Sequence, residues 1–176
     1  MGQLFMCKKY ELTDEEIVIG FHKLYRIRAL KDFGNVKVNE LGGFIEDEQN
    51  LSHENDCWVC DNAKVFDNAM VFGNAKVFGN AMVFGNAKVF GNAMVFGNAK
   101  VFGNAMVFGN AKVYDNAKVI ENALIYDEAR VFSDVRVCGE NIVAGNTIIW
   151  GNANVYSRTK ISPRVSNNGR VQKMCL

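Results

Sequence analysis

The sequence predicts an all-β chain wound into a parallel β-solenoid of triangular cross-section, and three observations carry the prediction. First, from Asp61 to Tyr114 the chain repeats with a period of six, as Asp-Asn-Ala-Lys-Val-Phe, Asp-Asn-Ala-Met-Val-Phe, and then the same units with Gly replacing Asp. A period this short belongs to stacked coils and not to a globular core. Second, each unit alternates. In Ala63-Lys64-Val65-Phe66, side chains two apart share a face, and Lys cannot sit unpaired in an apolar interior, so Ala and Val point in while Lys and Phe point out. Third, the outward Lys alternates with Met from unit to unit. With three units per coil Lys64 stacks on Met82 and then Lys100, whereas two units per coil would stack Lys64, Lys76 and Lys88 about 4.8 Å apart, costing up to roughly 1 kcal/mol per pair.

Taken in order, residues 1–52 form a non-repeating β cap and lead-in. Residues 9–12, 17–19 and 24–29 read as short strands, with turns at Gly20 and at 32–35. Such a cap shields the apolar residues and unpaired backbone of an end rung. Residues 53–162 form the solenoid proper. Its corners are the Gly73-Asn74 type of pair, since Gly tolerates positive φ and the Asn amide can bridge to the next rung. Units diversify after Glu121, and Asn141 falls at an inward position that demands a buried hydrogen-bond partner. Pro163 lacks the N–H of a ladder residue, so the regular coil is predicted to end near Ile161, and 163–176 become a capping tail that turns at Asn167-Asn168-Gly169.

Val65 followed four residues later by Ala69 resembles the hexapeptide pattern of left-handed parallel β-helices, an aliphatic residue and then a small one. The pattern runs from about Val59 to Ile161, roughly eighteen units in six coils, a rod about 30 Å long. Left-handedness is implied by this resemblance, whereas the usual rule for parallel crossovers points the other way. The cap residues Lys9-Tyr10, Leu24-Tyr25-Arg26-Ile27, Ala29-Leu30, Asp32-Phe33, Gly42-Gly43-Phe44-Ile45-Glu46 and Asn50-Leu51-Ser52 resemble the opening of a group of bacterial and prophage proteins commonly labelled acyltransferases by fold analogy. What the hexapeptide resemblance implies is acyl transfer from a coenzyme A or carrier-protein thioester, with a histidine general base between subunits beside a protruding loop.

The residues themselves point elsewhere. The chain has 176 residues, a net charge of +1 and 49% apolar residues, as expected of one domain with a continuous core and not of a basic nucleic-acid binder. Lys8 and Lys9 interrupt any signal core, no stretch is apolar enough to span a membrane, and Met6 breaks the myristoylation pattern. Five scattered cysteines suit free thiols, so a cytoplasmic location is expected. In Cys57-Trp58-Val59-Cys60 the register turns one thiol inward and the other outward, which argues against a metal site. His22 falls in the cap, and His53, the weak catalytic candidate, falls in the lead-in; no insertion builds a pocket around either. No glycine-rich phosphate loop occurs, so no cofactor is expected. The acidic runs 14–16 and 46–48 read as solvated surface.

The outward aromatic residues form columns: Phe66, Phe84 and Phe102; Phe72, Phe90 and Phe108; Phe78, Phe96 and Tyr114. These rings are predicted to be exposed, and continuous apolar strips suggest a binding surface. The expectation is a rigid, non-enzymatic binding or assembly module, derived from phage and acting on a host protein, engaging a protein partner or itself as a dimer or trimer, without nucleic acid or membrane. An acyltransferase-like enzyme is the alternative.

Overall fold

The structure, a computed structural model, describes residues 8–156 and the backbone of Lys160–Ile161, Val165–Ser166 and Arg170–Val171. It is a left-handed parallel β-helix. Short strands recur once per hexapeptide, and as far as Ile161 each pairs with the strand eighteen residues on, as in Lys64↔Met82 and Val65↔Val83. The coil is therefore three units long. Three faces result. The first carries Lys64–Val65, Met82–Val83, Lys100–Val101, Lys118–Val119, Arg136–Val137 and Asn154–Val155. The second carries Met70–Val71, Lys88–Val89, Met106–Val107, Leu124–Ile125, Ile142–Val143 and Lys160–Ile161. The third begins at Trp58–Val59 and continues through Lys76–Val77, Met94–Val95, Lys112–Val113, Arg130–Val131 and Ile148–Trp150.

The inward positions are closed to solvent: Ala63, Val65, Ala81, Val83, Ala99 and Val101 all show 0% exposure. The narrow prism admits one small and one branched side chain per unit, which is why the sequence can repeat them so monotonously. Backbone groups are satisfied by the next coil even at the corners, as in Asn86 N–H to Gly103 carbonyl at 2.8 Å and Phe84 N–H to Val101 carbonyl at 3.1 Å. The corner glycines adopt positive φ, +70° at Gly85, where a Cβ would lie only 3.1 Å from the backbone of Gly103. Where Asp stands instead, its carboxylate supplies a compensation. Asp61 and Asp67 sit at φ 57° and accept the N–H of Gly79 and Gly85, one coil on, at 2.9 and 3.0 Å. Asparagine amides bridge coils as expected: Asn68 donates to Asn86 at 3.2 Å, Asn86 to Asn104 at 3.0 Å, and Asn104 to Asn122 at 3.0 Å.

The cap is an antiparallel hairpin, β1 (Tyr10–Ile19) and β2 (His22–Ala29), followed by β3 (Leu41–Ile45). The two strands expected at 9–12 and 17–19 are one strand, because a register shift between Leu12 and Glu16 absorbs the polar residues between them without ending the pairing. β3 pairs with β2 on one side and, in parallel, with Lys64–Val65 on the other, so the cap prolongs the first face as well as covering the end. Gly42 and Gly43 permit that crossing: a Cβ at Gly42 would lie 2.6 Å from the Val59 carbonyl oxygen, and one at Gly43 2.6 Å from that of Ala63. Tyr10, Ile27 and Trp58 plug the open end of the prism. Lys9 is buried with them, its ammonium donating to the Cys57 carbonyl at 2.8 Å and the Asn55 carbonyl at 3.2 Å, and burial lowers its pKa.

At the far end, Asn141 is fully buried and donates to the carbonyls of Cys138 and Val155, the backbone partners its position demanded. Strand pairing continues beyond Ile161. The separation is eighteen residues at Val143↔Ile161 but sixteen at Ile149↔Val165 and Asn154↔Arg170, so the sequence around Pro163 shortens a coil and does not end the pairing. The turn expected at Asn167-Asn168-Gly169 lies outside the described residues, as does most of the expected tail, 163–176.

Candidate functional site

The aromatic columns exist, and they are longer and drier than expected. Phe72, Phe90, Phe108 and Tyr126 stack at 4.8 Å with interplanar angles of 3–9°. Phe78, Phe96, Tyr114 and Phe132 stack at 4.7–4.8 Å, and Trp150 follows at 6.4 Å. The column of Phe66, Phe84 and Phe102 ends at Ile120. The predicted exposure of these rings is corrected: Phe66 is only 5% exposed, and Phe72, Phe78, Phe84, Phe90, Phe96, Phe102, Phe108 and Tyr114 are half-buried. Parallel strands hold equivalent residues at a spacing of about 4.8 Å, within the range of offset-stacked rings, so each ring covers much of its neighbour's faces and leaves mainly edges to water. Phe66 is further sealed by the cap, where it clusters with Leu24 and Phe44 beneath the His22 ring, 5.1 Å away.

The three faces differ in chemistry, which the near-identical units conceal. Lys and Met alternate only in the early coils. On the first face Lys100 pairs with Lys118 and that with Arg136, and on the third Lys112 pairs with Arg130, so like charges are adjacent there. Corner carboxylates at Asp115, Glu121, Asp127 and Asp134 appear in the same coils and offset this charge. The second face instead presents Met70, Lys88, Met106, Leu124 and Ile142 outward, with Lys88 the one cation of these five, and Lys160 continues the row by pairing with Ile142. Of the five, Met70 is 42% exposed and the others half-buried. Ile120 and the Phe108–Tyr126 stack border this face at its lower corners.

His53, the sequence candidate for a general base, is built into the cap. Its ring stacks on Tyr10 at 4.3 Å, its Nδ1 accepts the backbone N–H of Lys9 at 3.2 Å, and its Nε2 faces Glu48 at 3.5 Å. An Nδ1 that accepts from the backbone leaves Nε2 as the N–H of a neutral ring, directed at Glu48. It lines a shallow groove of about 250 Å³ with Ser52, Met70 and Phe72. Cys57 is buried and Cys60 half-buried against the core; burial pushes the Cys60 thiol up to about 11, which keeps it in the thiol form at neutral pH.

One cluster was not foreseen. His22 Nδ1 lies 3.0 Å from Glu46 Oε1 and its Nε2 3.2 Å from Asp67 Oδ1. Glu46 Oε2 accepts the N–H of Asp67 at 2.7 Å. The bond to Glu46 raises the histidine pKa. For Glu46, burial alone would raise the carboxyl, but the bonds from His22 and from the Asp67 backbone outweigh it and the pKa falls. The acidic run 46–48 is therefore a set of connectors and not free surface: Asp47 caps the turn Glu48–Asn50, and Glu48 accepts from Lys8 at 2.6 Å.

No protein-family model matches the chain, and no curated protein matches it either. The geometry is that of a hexapeptide-repeat β-helix, a rigid solenoid, and no helix among the described residues is long and apolar enough to cross a membrane.

Proposed function

We propose that the protein is a binding and assembly module whose working surface is its second face, and that the partner is another copy of the chain. The carrying observation is the contrast between faces: Met70, Met106, Leu124 and Ile142 point outward on the second, against Lys64, Lys100, Lys118 and Arg136 on the first and Lys76, Lys112 and Arg130 on the third. Apolar outward residues on a flat, regular sheet favour sheet-on-sheet packing at about 10 Å, with side chains interdigitating at the strand spacing. The two lysines of this face, Lys88 and Lys160, do not prevent it, since an aliphatic lysine stem can lie along the seam with the ammonium at the edge. The cationic faces repel their own kind and stay outside.

The test is oligomeric mass by light scattering at tens of micromolar. The native chain is expected to have the mass of a dimer or trimer, and Leu124→Glu combined with Ile142→Glu to reduce it to a monomer with an unchanged β-sheet circular dichroism signal. Lys112→Glu, on the third face, should leave the mass alone. A double variant that keeps the native mass, or a native chain that is monomeric, would overturn this reading.

A further inference from the structure

We propose that His22, Glu46 and Asp67 form a binding site for a divalent transition metal of the zinc class, which clips the cap hairpin to the first coil. The three residues arrive from separate parts of the chain: His22 opens β2, Glu46 follows β3, and Asp67 is the corner between the first-face strand Lys64–Val65 and the second-face strand Met70–Val71. One donor atom from each lies within 4.8 Å of the others. Metal–ligand bonds of about 2.0–2.2 Å bring donors up to roughly 4.3 Å apart onto one ion, so a small rotation of the imidazole closes the set.

The existing contacts make a cation useful here. Both ring nitrogens face a carboxylate oxygen, and a neutral imidazole has one N–H to offer, so whenever the ring is neutral one of the two contacts sets lone pair against lone pair. A cation that takes one nitrogen and an oxygen from each carboxylate removes that conflict and balances the two negative charges. The carboxylates are held in place by the backbone, Glu46 by the Asp67 N–H at 2.7 Å and Asp67 by the Gly85 N–H at 3.0 Å, while the imidazole rests against Phe66. Side chains of His22, Glu46 and Asp67 are 34%, 30% and 29% exposed, so water can reach the site to complete the coordination shell. An imidazole with two carboxylates suits zinc, cobalt or manganese better than magnesium or calcium, which prefer oxygen donors throughout.

The full untagged chain is dialysed against zinc chloride at pH 7.5 and the retained metal counted. One zinc per chain is expected, unaffected by millimolar magnesium, together with a rise in melting temperature that a chelator reverses. His22→Gln and Asp67→Asn should each weaken binding at least roughly tenfold. His53→Gln, and Cys57→Ser with Cys60→Ser, should not. If one of the first pair fails to fold, the other and Glu46→Gln give the same reading. No zinc above the buffer level would leave a proton as the cation between these groups and overturn the proposal. So would zinc that survives in the His22 and Asp67 variants, or that departs with the two thiols.

Discussion

Each hexapeptide position is under a different physical demand, and the demand shows in what a substitution does. Val89 has 0% exposure inside the prism, while its neighbour Lys88 points outward on the second face. Val89→Asp buries an unpaired carboxylate and is expected to cost at least about 3 kcal/mol, whereas Lys88→Asp should remain within roughly 1 kcal/mol. Chemical denaturation of the two variants measures this; equal losses would mean that the inward and outward assignments are wrong. Gly43 makes another demand. A Cβ there would stand 2.6 Å from the Ala63 carbonyl oxygen and 2.8 Å from the Val59 side chain, and the backbone atom cannot yield without moving the first coil. Gly43→Ala should therefore destabilise by about 1–3 kcal/mol through overpacking, seen as a lower denaturation midpoint, and an unchanged midpoint would show that β3 has room to shift.

The residue pattern made much of this legible beforehand. Ala-x-Val at every unit specifies which side chains enter the prism, and the Lys/Met parity selects three sides, because both follow from local alternation and charge. What was hidden depends on contacts between coils or between cap and coil. Ring burial follows from stacking eighteen residues apart, as Phe72 on Phe90, which a single unit does not display. His22, Glu46 and Asp67 are remote in sequence, and only the docking of β2 and β3 onto the first coil brings them together. Residues 41–45 are not among the expected strands, since paired glycines lower strand propensity, although Gly42 and Gly43 are both needed inside β3.

At the scale of elements, two-residue strands cannot be stable singly, so the coil depends on ladders that run its length. The aromatic stacks are the ladders with the most directional packing. Phe90 lies between Phe72 and Phe108, both at 4.8 Å, while Tyr126 at the end of the same stack has Phe108 as its ring partner. At about 0.5–1.5 kcal/mol per stacked pair, Phe90→Leu should lose roughly twice the stacking energy of Tyr126→Leu. Thermal or urea unfolding of the two variants checks the ratio. A Tyr126 loss equal to or larger than that of Phe90 would show that the rings act independently and that their stacking is incidental to stability. The cap hairpin is an element of another kind, prolonging the first face with β1–β3 while Tyr10 and Trp58 close the prism from above. It removes the open edge that would otherwise recruit further chains end to end.

For the whole molecule the consequence is a rod covered by the hairpin at its N-terminal end and with three unlike sides. Charge is close to balanced, +1 over the chain, but its distribution is uneven: cations crowd the first and third faces and apolar side chains hold the second. Surface ion pairs contribute little individually, so apolar area should decide how copies meet. Association is then lateral, through second faces, and insensitive to salt. Small-angle X-ray scattering with a matched mass measurement, in low and high salt, tests this most directly. Twice or three times the mass of one chain is expected, with a maximum dimension close to that of a single rod and an enlarged cross-section, at both salt concentrations. A maximum dimension that grows in proportion to mass, as in end-to-end chains, or the scattering of a single rod at tens of micromolar, would contradict it.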